Sequence, residues 1–264
     1  VAHAAFACGD SDSSTGTGGS GGTGGAEAKA RTYVLVHGAF AGAWTWDRVV
    51  PLLEADGSTV LTLDLPSHGD DATPVGQATL DGYTAKVVAL IDSADEPVVL
   101  VGHSMGGLVV SQAAEARPDK IEKLVYLAAF LTEDGESLLT ASTGDTESKL
   151  QDFLMIGTES ATLAPEGVLG AFCTDCSDAD AQAIADHLKP EPLAPFTTPI
   201  HTTAENWGRV PRFYIETLQD KAIGPARQKE FYTALPCEKV LSLSTGHAPF
   251  LTQPEALADA LLSL

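Results

Sequence analysis

Short apolar runs alternate with longer amphipathic stretches from about residue 31 to the end of the chain. Almost wholly apolar runs predict strands covered on both faces, and the stretches between them have the spacing of helices packed on a sheet. The predicted strands are residues 33–36, 59–63, 98–101, 124–127, 213–216 and 240–243. The predicted helices are residues 47–55, 80–93, 105–116, 226–235 and 255–262. This alternation predicts an α/β fold with a mostly parallel, doubly wound sheet.

One connection is far longer than the others. Residues 131–211 comprise 81 residues without a clear strand pattern, whereas connections in compact domains rarely exceed about 15 residues. We therefore predict an inserted helical lid over the sheet. The insertion carries 14 acidic residues and 3 basic ones, and a solvated acidic surface is the simplest interpretation of that charge.

Residues 1–30 differ in composition from the predicted domain, which spans residues 31–264. Of the 17 residues 9–25, 15 are Gly, Ser or Thr, which predicts a disordered tether. Small residues before Cys8 resemble the end of a bacterial lipoprotein signal, although the basic and apolar parts of a signal are missing and Ala5 stands where Leu is usual. We favour an exported protein that a lipidated Cys8 attaches to a membrane over a cytoplasmic protein with a low-complexity tail.

Charge and hydropathy narrow the classes of partner. The 264-residue chain has a formal net charge of −21, which disfavours nucleic acid and anionic membrane surfaces as partners. Hydrophobic residues make up 44% of the chain, enough for a sizeable core, and no apolar run approaches the length of a membrane-spanning helix. Nothing in the pattern specifies an oligomeric state.

The strongest chemical motif is Gly102-His103-Ser104-Met105-Gly106, which matches G-x-S-x-G. A predicted strand precedes it and a predicted helix follows it, which is the context that a nucleophile elbow requires. The two glycines allow the strand and the helix to pack closely at the turn, and the helix N-terminus directs free N–H groups at developing negative charge. We therefore predict that Ser104 is a catalytic nucleophile.

An oxyanion hole is predicted from two separate loops. The first strand ends in His37-Gly38, and the loop at this place in a hydrolase fold supplies one peptide N–H, here that of Ala39. The second N–H is that of Met105, directly after the nucleophile. His37 itself we interpret as structural support for the loop.

The base and the acid are expected late in the chain. Among the seven histidines, His247 alone lies beyond the elbow at the end of a predicted strand. Asp220 follows the strand 213–216, between serine and histidine in chain order, and is predicted to orient the imidazole. Glu216 is the alternative acid, but we place it within the strand.

Two of the four cysteines form a C-x-x-C pair, Cys173 and Cys176, in the insertion. A redox pair or half of a zinc site would explain the spacing. A second cysteine pair or a histidine pair that would complete a metal set is missing nearby. We favour two ordinary thiols on the lid and expect no metal.

A family resemblance rests on the same residues. Residues 34–46, 102–107 and 214–223 resemble one branch of the α/β-hydrolases, which holds plant hydroxynitrile lyases, plant methylesterases and bacterial carboxylesterases such as pyrethroid hydrolases. The bacterial members are the most similar, on residues 126–131, 190–195 and 210–216. The resemblance implies an α/β-hydrolase fold, the triad Ser104, Asp220 and His247, and neither metal nor organic cofactor.

These observations predict a serine hydrolase that cleaves carboxylic esters through an acyl-enzyme. A cyanohydrin lyase is the first alternative, but Gly38 and Ala248 stand where the lyases carry threonine and lysine. A non-catalytic ligand-binding homologue is the second, although such proteins usually lose a triad member. The predicted pocket residues, for which ordinary core packing is an equal alternative, are Phe40, Leu108, Phe130, Phe196, Trp207 and Phe250.

Overall fold

Six parallel strands form the central sheet of the computed structural model, which describes residues 30–264. Cys8 and the tether of residues 9–25 lie outside the described residues. The six strands are β1 (Thr32–Val36), β2 (Thr59–Thr62), β3 (Val98–His103), β4 (Ile121–Leu127), β8 (Arg212–Thr217) and β9 (Lys239–Leu243), and the insertion adds β5 (Leu154–Ile156), β6 (Ser160–Leu163) and β7 (Glu191–Pro192). The order of the strands across the central sheet is β2-β1-β3-β4-β8-β9.

Helices flank the sheet, as the pattern of the sequence predicts. The helices are α1 (Val50–Ala55), α2 (Leu80–Asp92), α3 (Gly106–Ala116), α4 (Leu138–Ser142), α5 (Asp178–His187), α6 (Leu193–Thr197), α7 (Pro225–Ala234), α8 (Pro249–Thr252) and α9 (Pro254–Leu262). Helix α2 packs against α3, and α1 packs against α9. None of the helices in residues 30–264 is long and apolar enough to cross a bilayer.

The order of the strands brings the functional loops together. Each residue of β3 is buried, and β3 lies between β1 and β4 with all three strands parallel. Loops at the carboxyl ends of parallel strands meet at one edge of the sheet. The loops that follow β1, β3, β8 and β9 therefore share that edge.

The predicted strands and helices of the core are confirmed with small shifts at their ends. The largest shifts are of three residues: α1 begins at Val50 and not at Asp47, and β4 begins at Ile121 and not at Leu124. The inserted lid is helical in part, with α4, α5 and α6 within residues 131–211. The insertion holds the antiparallel strands β5, β6 and β7 besides its helices, and strands of two to four residues are too short to show a period-two pattern.

Candidate active site

Ser104 lies on a strained turn between β3 and α3. Its φ of 55° is in the left-handed region, which is costly for a residue with a side chain. Helix α3 approaches β1 very closely here, because a Cβ on Gly106 would lie 2.8 Å from the backbone oxygen of His37. The Ser104 carbonyl accepts hydrogen bonds from Gly107 N at 3.0 Å and Phe130 N at 3.2 Å, which hold the turn.

Two peptide N–H groups beside Ser104 are free. Neither Ala39 N nor Met105 N donates to an acceptor within residues 30–264. The next peptide, Phe40 N, is not available, since it donates to Glu191 Oε2 at 2.8 Å. Ala39 and Met105 are therefore the two donors that an oxyanion at this site could use.

The lid holds the loop that carries Ala39. Phe40 has a φ of 64°, and both of its backbone polar groups bind the lid: Phe40 N donates to Glu191 Oε2, and Phe40 O accepts from Lys189 N at 2.8 Å. Glu191 is wholly buried and also accepts from Tyr83 Oη at 3.4 Å. The sequence analysis missed Glu191, whose only local sign is a carboxylate between two prolines.

A buried ion pair anchors Glu191. His68 Nε2 lies 2.7 Å from Glu191 Oε2, and both side chains are wholly buried. Burial by itself would lower the pKa of His68, but the adjacent Glu191 carboxylate offsets it and raises this pKa above its ordinary value. His68 Nδ1 contacts the Pro66 carbonyl at 3.0 Å, so both ring nitrogens face acceptors, as a protonated imidazole requires.

His37 is the neutral counterpart of His68, 5.0 Å from it between ring centroids. His37 Nδ1 donates to Gly38 O at 2.8 Å, and its Nε2 accepts from Leu65 N at 3.0 Å. Burial, and then the charge of His68, lower the pKa of His37 to about 3. His37 thus supports the loop as an uncharged group.

His247 and Asp220 form a buried pair. His247 Nδ1 lies 2.7 Å from Asp220 Oδ2, and Asp220 is wholly shielded from solvent. Asp220 Oδ1 accepts from Ala222 N at 2.7 Å and Ile223 N at 2.9 Å, so both carboxylate oxygens have hydrogen-bond partners. His247 Nε2 has no hydrogen-bond partner within residues 30–264, and neither has Ser104 Oγ. Both atoms are therefore available to a ligand.

Two more side chains fix Asp220, and the sequence analysis missed both. Thr217 Oγ1 donates to Asp220 Oδ2 at 2.8 Å, and Gln228 Nε2 donates to the same oxygen at 3.0 Å. Gln228 is a wholly buried amide on α7 and also bonds the backbone of Thr217 and Ile223. Nothing in the polar sequence of α7 around Gln228 indicates that its side chain binds Asp220.

His103 and Phe172 pack around the ring of His247. His103 directly precedes Ser104, its Nε2 donates to His247 O at 2.8 Å, and the two rings lie 4.5 Å apart. Burial, and then the charge of His247, hold the pKa of His103 well below its ordinary value. Phe172, in the lid, meets the His247 ring edge-on at 5.8 Å. His103 therefore joins the serine loop to the histidine loop.

The predicted pocket residues fall into different surroundings. Phe130 N donates to the Ser104 carbonyl, and Phe40 belongs to the loop whose Gly38 lies against Ser104. Phe250 packs edge-on against His103 at 4.9 Å, Leu108 is buried in α3 and Phe196 is half-buried in α6. Trp207 differs: its Nε1 donates to Tyr126 Oη at 2.9 Å, and Arg212, at the start of β8, lies 4.2 Å over its ring. Trp207 thus packs against Tyr126 of β4 and Arg212 of β8.

Cys173 and Cys176 are joined in a disulfide. The interpretation of this pair as two ordinary thiols is wrong, and the bond uses both sulfurs that a zinc site would need. The pair closes a short turn in which Cys176 N donates to Cys173 O at 3.3 Å. Cys237 is the free cysteine of the described residues, and burial raises its pKa to about 11.

Comparison with known proteins agrees with this geometry. Residues 33–260 match the profile of the alpha/beta hydrolase family, and the chain belongs to that family. It is 32% identical to methylesterase 1 of Arabidopsis thaliana over 258 residues, which cover 90% of this chain and 97% of the relative.

Two solved structures are similar as well. Polyneuridine aldehyde esterase superposes with a TM-score of 0.81 at 27% identity, covering 89% of this chain and 99% of that one. A pyrethroid hydrolase from Sphingobium faniae JZ-2 superposes with a TM-score of 0.79 at 29% identity, covering 89% and 96%. The chain is thus a hydrolase of the esterase type, and the predicted fold and resemblance are confirmed.

Proposed function

We propose that the protein hydrolyses small carboxylic esters by acyl transfer, with Ser104 as nucleophile, His247 as general base and Asp220 as the orienting acid. The observation that carries the proposal is the 2.7 Å contact between His247 Nδ1 and Asp220 Oδ2. This contact assigns the proton of His247 to Nδ1 and leaves Nε2 as the basic atom. His103 joins the loop of His247 to the loop of Ser104.

The reaction would proceed in two steps. Ser104 Oγ attacks the ester carbonyl while His247 Nε2 takes its proton, and the same proton then passes to the leaving alcohol. Water, activated by His247, releases the acid from the acyl-enzyme. The free N–H groups of Ala39 and Met105 would hold the oxyanion in both steps, each contributing about 3 kcal/mol to the barrier reduction.

Neutral esters with an apolar part suit the surroundings of Ser104. Phe40, Phe130 and the lid residue Phe172 are buried there, and a site closed to water strengthens hydrogen bonds to a developing oxyanion. Methyl esters are a natural first class, since a relative that spans nearly the whole chain is a methylesterase. The cyanohydrin lyase has no support here, because Ala248, next to His247, is wholly buried and uncharged.

The proposal is tested by labelling and turnover together. Wild-type protein should react with a fluorophosphonate at Ser104 and should hydrolyse p-nitrophenyl, aryl and methyl esters. Ser104→Ala should fold with an unchanged circular dichroism spectrum, take up no label and lose hydrolysis by several orders of magnitude. Ester hydrolysis by Ser104→Ala at the rate of the wild type would refute the proposal.

A further inference from the structure

The lid touches the His247 loop through the turn that the disulfide closes. Asp175, between Cys173 and Cys176, accepts two hydrogen bonds on Oδ2: from Thr245 Oγ1 at 2.6 Å and from Gly246 N at 3.1 Å. Thr245 and Gly246 directly precede His247 and are buried. One carboxylate oxygen of the lid thus holds the chain just before the base.

The fit between the turn and the loop is tight. A Cβ on Gly246 would lie 2.7 Å from Asp175 Oδ1 and 2.8 Å from Thr174 Oγ1, which is closer than a side chain tolerates. The absence of a side chain at position 246 therefore lets the turn lie flat against the loop. Phe172, next to the disulfide, contacts the His247 ring, so the same lid segment touches both the backbone and the ring.

The disulfide determines where Asp175 stands. Cys173 is buried, whereas Asp175 is exposed at the tip of the turn. An exposed carboxylate held only by two hydrogen bonds gains little, because ordering its chain costs conformational entropy. The disulfide closes the turn from Cys173 to Cys176 that contains Asp175. It therefore removes most of the conformational freedom of Asp175 before the two hydrogen bonds form.

We propose that Asp175, held in place by the Cys173–Cys176 disulfide, is a positioning residue for His247. The inference rests on the proposed function, since it assigns no chemical step to Asp175 itself. His247 must direct Nε2 at Ser104, and a displacement of about 1 Å at a catalytic group can cost about a hundredfold in rate. Asp220 holds the His247 ring at Nδ1, and His103 holds the His247 carbonyl. Asp175 holds the two residues that precede His247 in the chain.

Three variants separate positioning from mere folding. In Asp175→Ala both hydrogen bonds are lost, and kcat for an ester should fall by about tenfold with KM changed less than twofold. In Asp175→Asn the amide oxygen can still accept both bonds, so kcat should stay within about twofold of the wild type. Asp178→Ala, at an exposed aspartate of α5 whose side chain forms no hydrogen bond to the His247 loop, is the control, and its kcat should be unchanged.

Reduction of the disulfide tests its part in the proposal. A small dithiol such as dithiothreitol gives two electrons and two protons to the pair, breaks the S–S bond and leaves two thiols, while the dithiol closes to its own disulfide. The count of reactive thiols should rise by two, and kcat should fall by about the same factor as in Asp175→Ala. Asp175→Ala should lose nothing further on reduction, because the two changes act through one contact.

The outcomes distinguish a failure of the proposed esterase function from a failure of the role of Asp175. A wild-type protein that neither hydrolyses esters nor reacts with a fluorophosphonate would overturn the proposed function and the inference with it. An active wild type with Asp175→Ala equally active, or with Asp175→Asn as impaired as Asp175→Ala, would overturn the inference alone. Unchanged kcat in fully reduced wild type would overturn the role of the disulfide.

Discussion

Tyr232 Oη donates a hydrogen bond to Glu216 Oε2 at 2.9 Å. The second oxygen of Glu216 accepts from Ser242 Oγ at 2.6 Å, so the carboxylate bridges α7 and β9, and within residues 30–264 it forms no hydrogen bond with His247. Asp220 stands only four residues later, but it lies in the loop after β8, where it meets His247 Nδ1. The two acidic residues that the sequence leaves as candidates therefore have different surroundings.

The first prediction follows from this difference. Asp220→Asn should lower kcat for ester hydrolysis by about four orders of magnitude, because the amide leaves His247 in the wrong tautomer. Glu216→Gln should lower kcat by less than about threefold, since Gln can still bond both hydroxyls. Steady-state kinetics of the two variants checks the prediction, and the reverse ranking would transfer the role of the acid to Glu216.

The second prediction concerns the lid carboxylate that holds Phe40. Glu191→Gln removes the charge that pairs with His68 and weakens the bond to Phe40 N, so the Ala39 peptide should lose its orientation. We expect kcat to fall by roughly tenfold, with a lower unfolding temperature. Glu159→Gln, an exposed carboxylate beside strand β6, is the control. Equal kcat in wild type and Glu191→Gln would show that the oxyanion loop does not depend on the lid.

The third prediction concerns pH and His37. Its pKa is lowered to about 3 in the folded protein, so between about pH 6.5 and 3 the unfolded chain binds a proton that the folded one does not. The free energy of unfolding should therefore decrease as the pH falls through this range, by about 1.4 kcal/mol per pH unit for this residue.

His37→Gln removes that contribution, because Gln does not titrate and its oxygen can accept from Leu65 N. Urea unfolding at pH 4.5, 5.5 and 6.5 should give a shallower decrease for His37→Gln than for the wild type. His103, whose pKa is lowered mainly by burial, remains in both proteins, so the difference between the two curves reports the contribution that depends on His37. Parallel curves for the two proteins would contradict the prediction.

The fourth prediction concerns substrate charge. The insertion carries 14 acidic residues and 3 basic ones, and the apolar side chains Phe130 and Phe172 lie at the site of Ser104 and His247. For matched esters, kcat/KM should be roughly tenfold higher for the neutral one at low salt, and moderate salt should narrow the ratio, because screening is effective beyond about 8 Å.

Two arginines near the end of the insertion are occupied elsewhere. Arg209 pairs with Asp119 at 2.6 Å, and Arg212 lies over the Trp207 ring. Neither is therefore placed to receive an anionic substrate. Preference for the carboxylate-bearing ester, independent of salt, would show that a cationic side chain lines the pocket after all.

Local patterns in the sequence were sufficient for the core of the fold. The strands of the central sheet are apolar runs, since a parallel sheet is covered on both faces, and this pattern is visible without any knowledge of the tertiary structure. The elbow at Ser104 is equally local, because its glycines lie within two residues of the serine and directly between a strand and a helix. Chain order was enough to direct attention to Asp220 and His247.

The residues that hold the catalytic loops in place could be identified only from the tertiary structure. Glu191 is 151 residues from Phe40, whose N–H it accepts, and Asp175 is 71 residues from Gly246. Such contacts depend on the path of the lid across the sheet, and short lid strands and turns have no periodicity from which to read that path. The sequence by itself determined which residues could perform acyl transfer. Only the folded lid decided which peptide N–H groups stay free and what holds His247, because a buried polar group takes its partner from whichever segment packs over it.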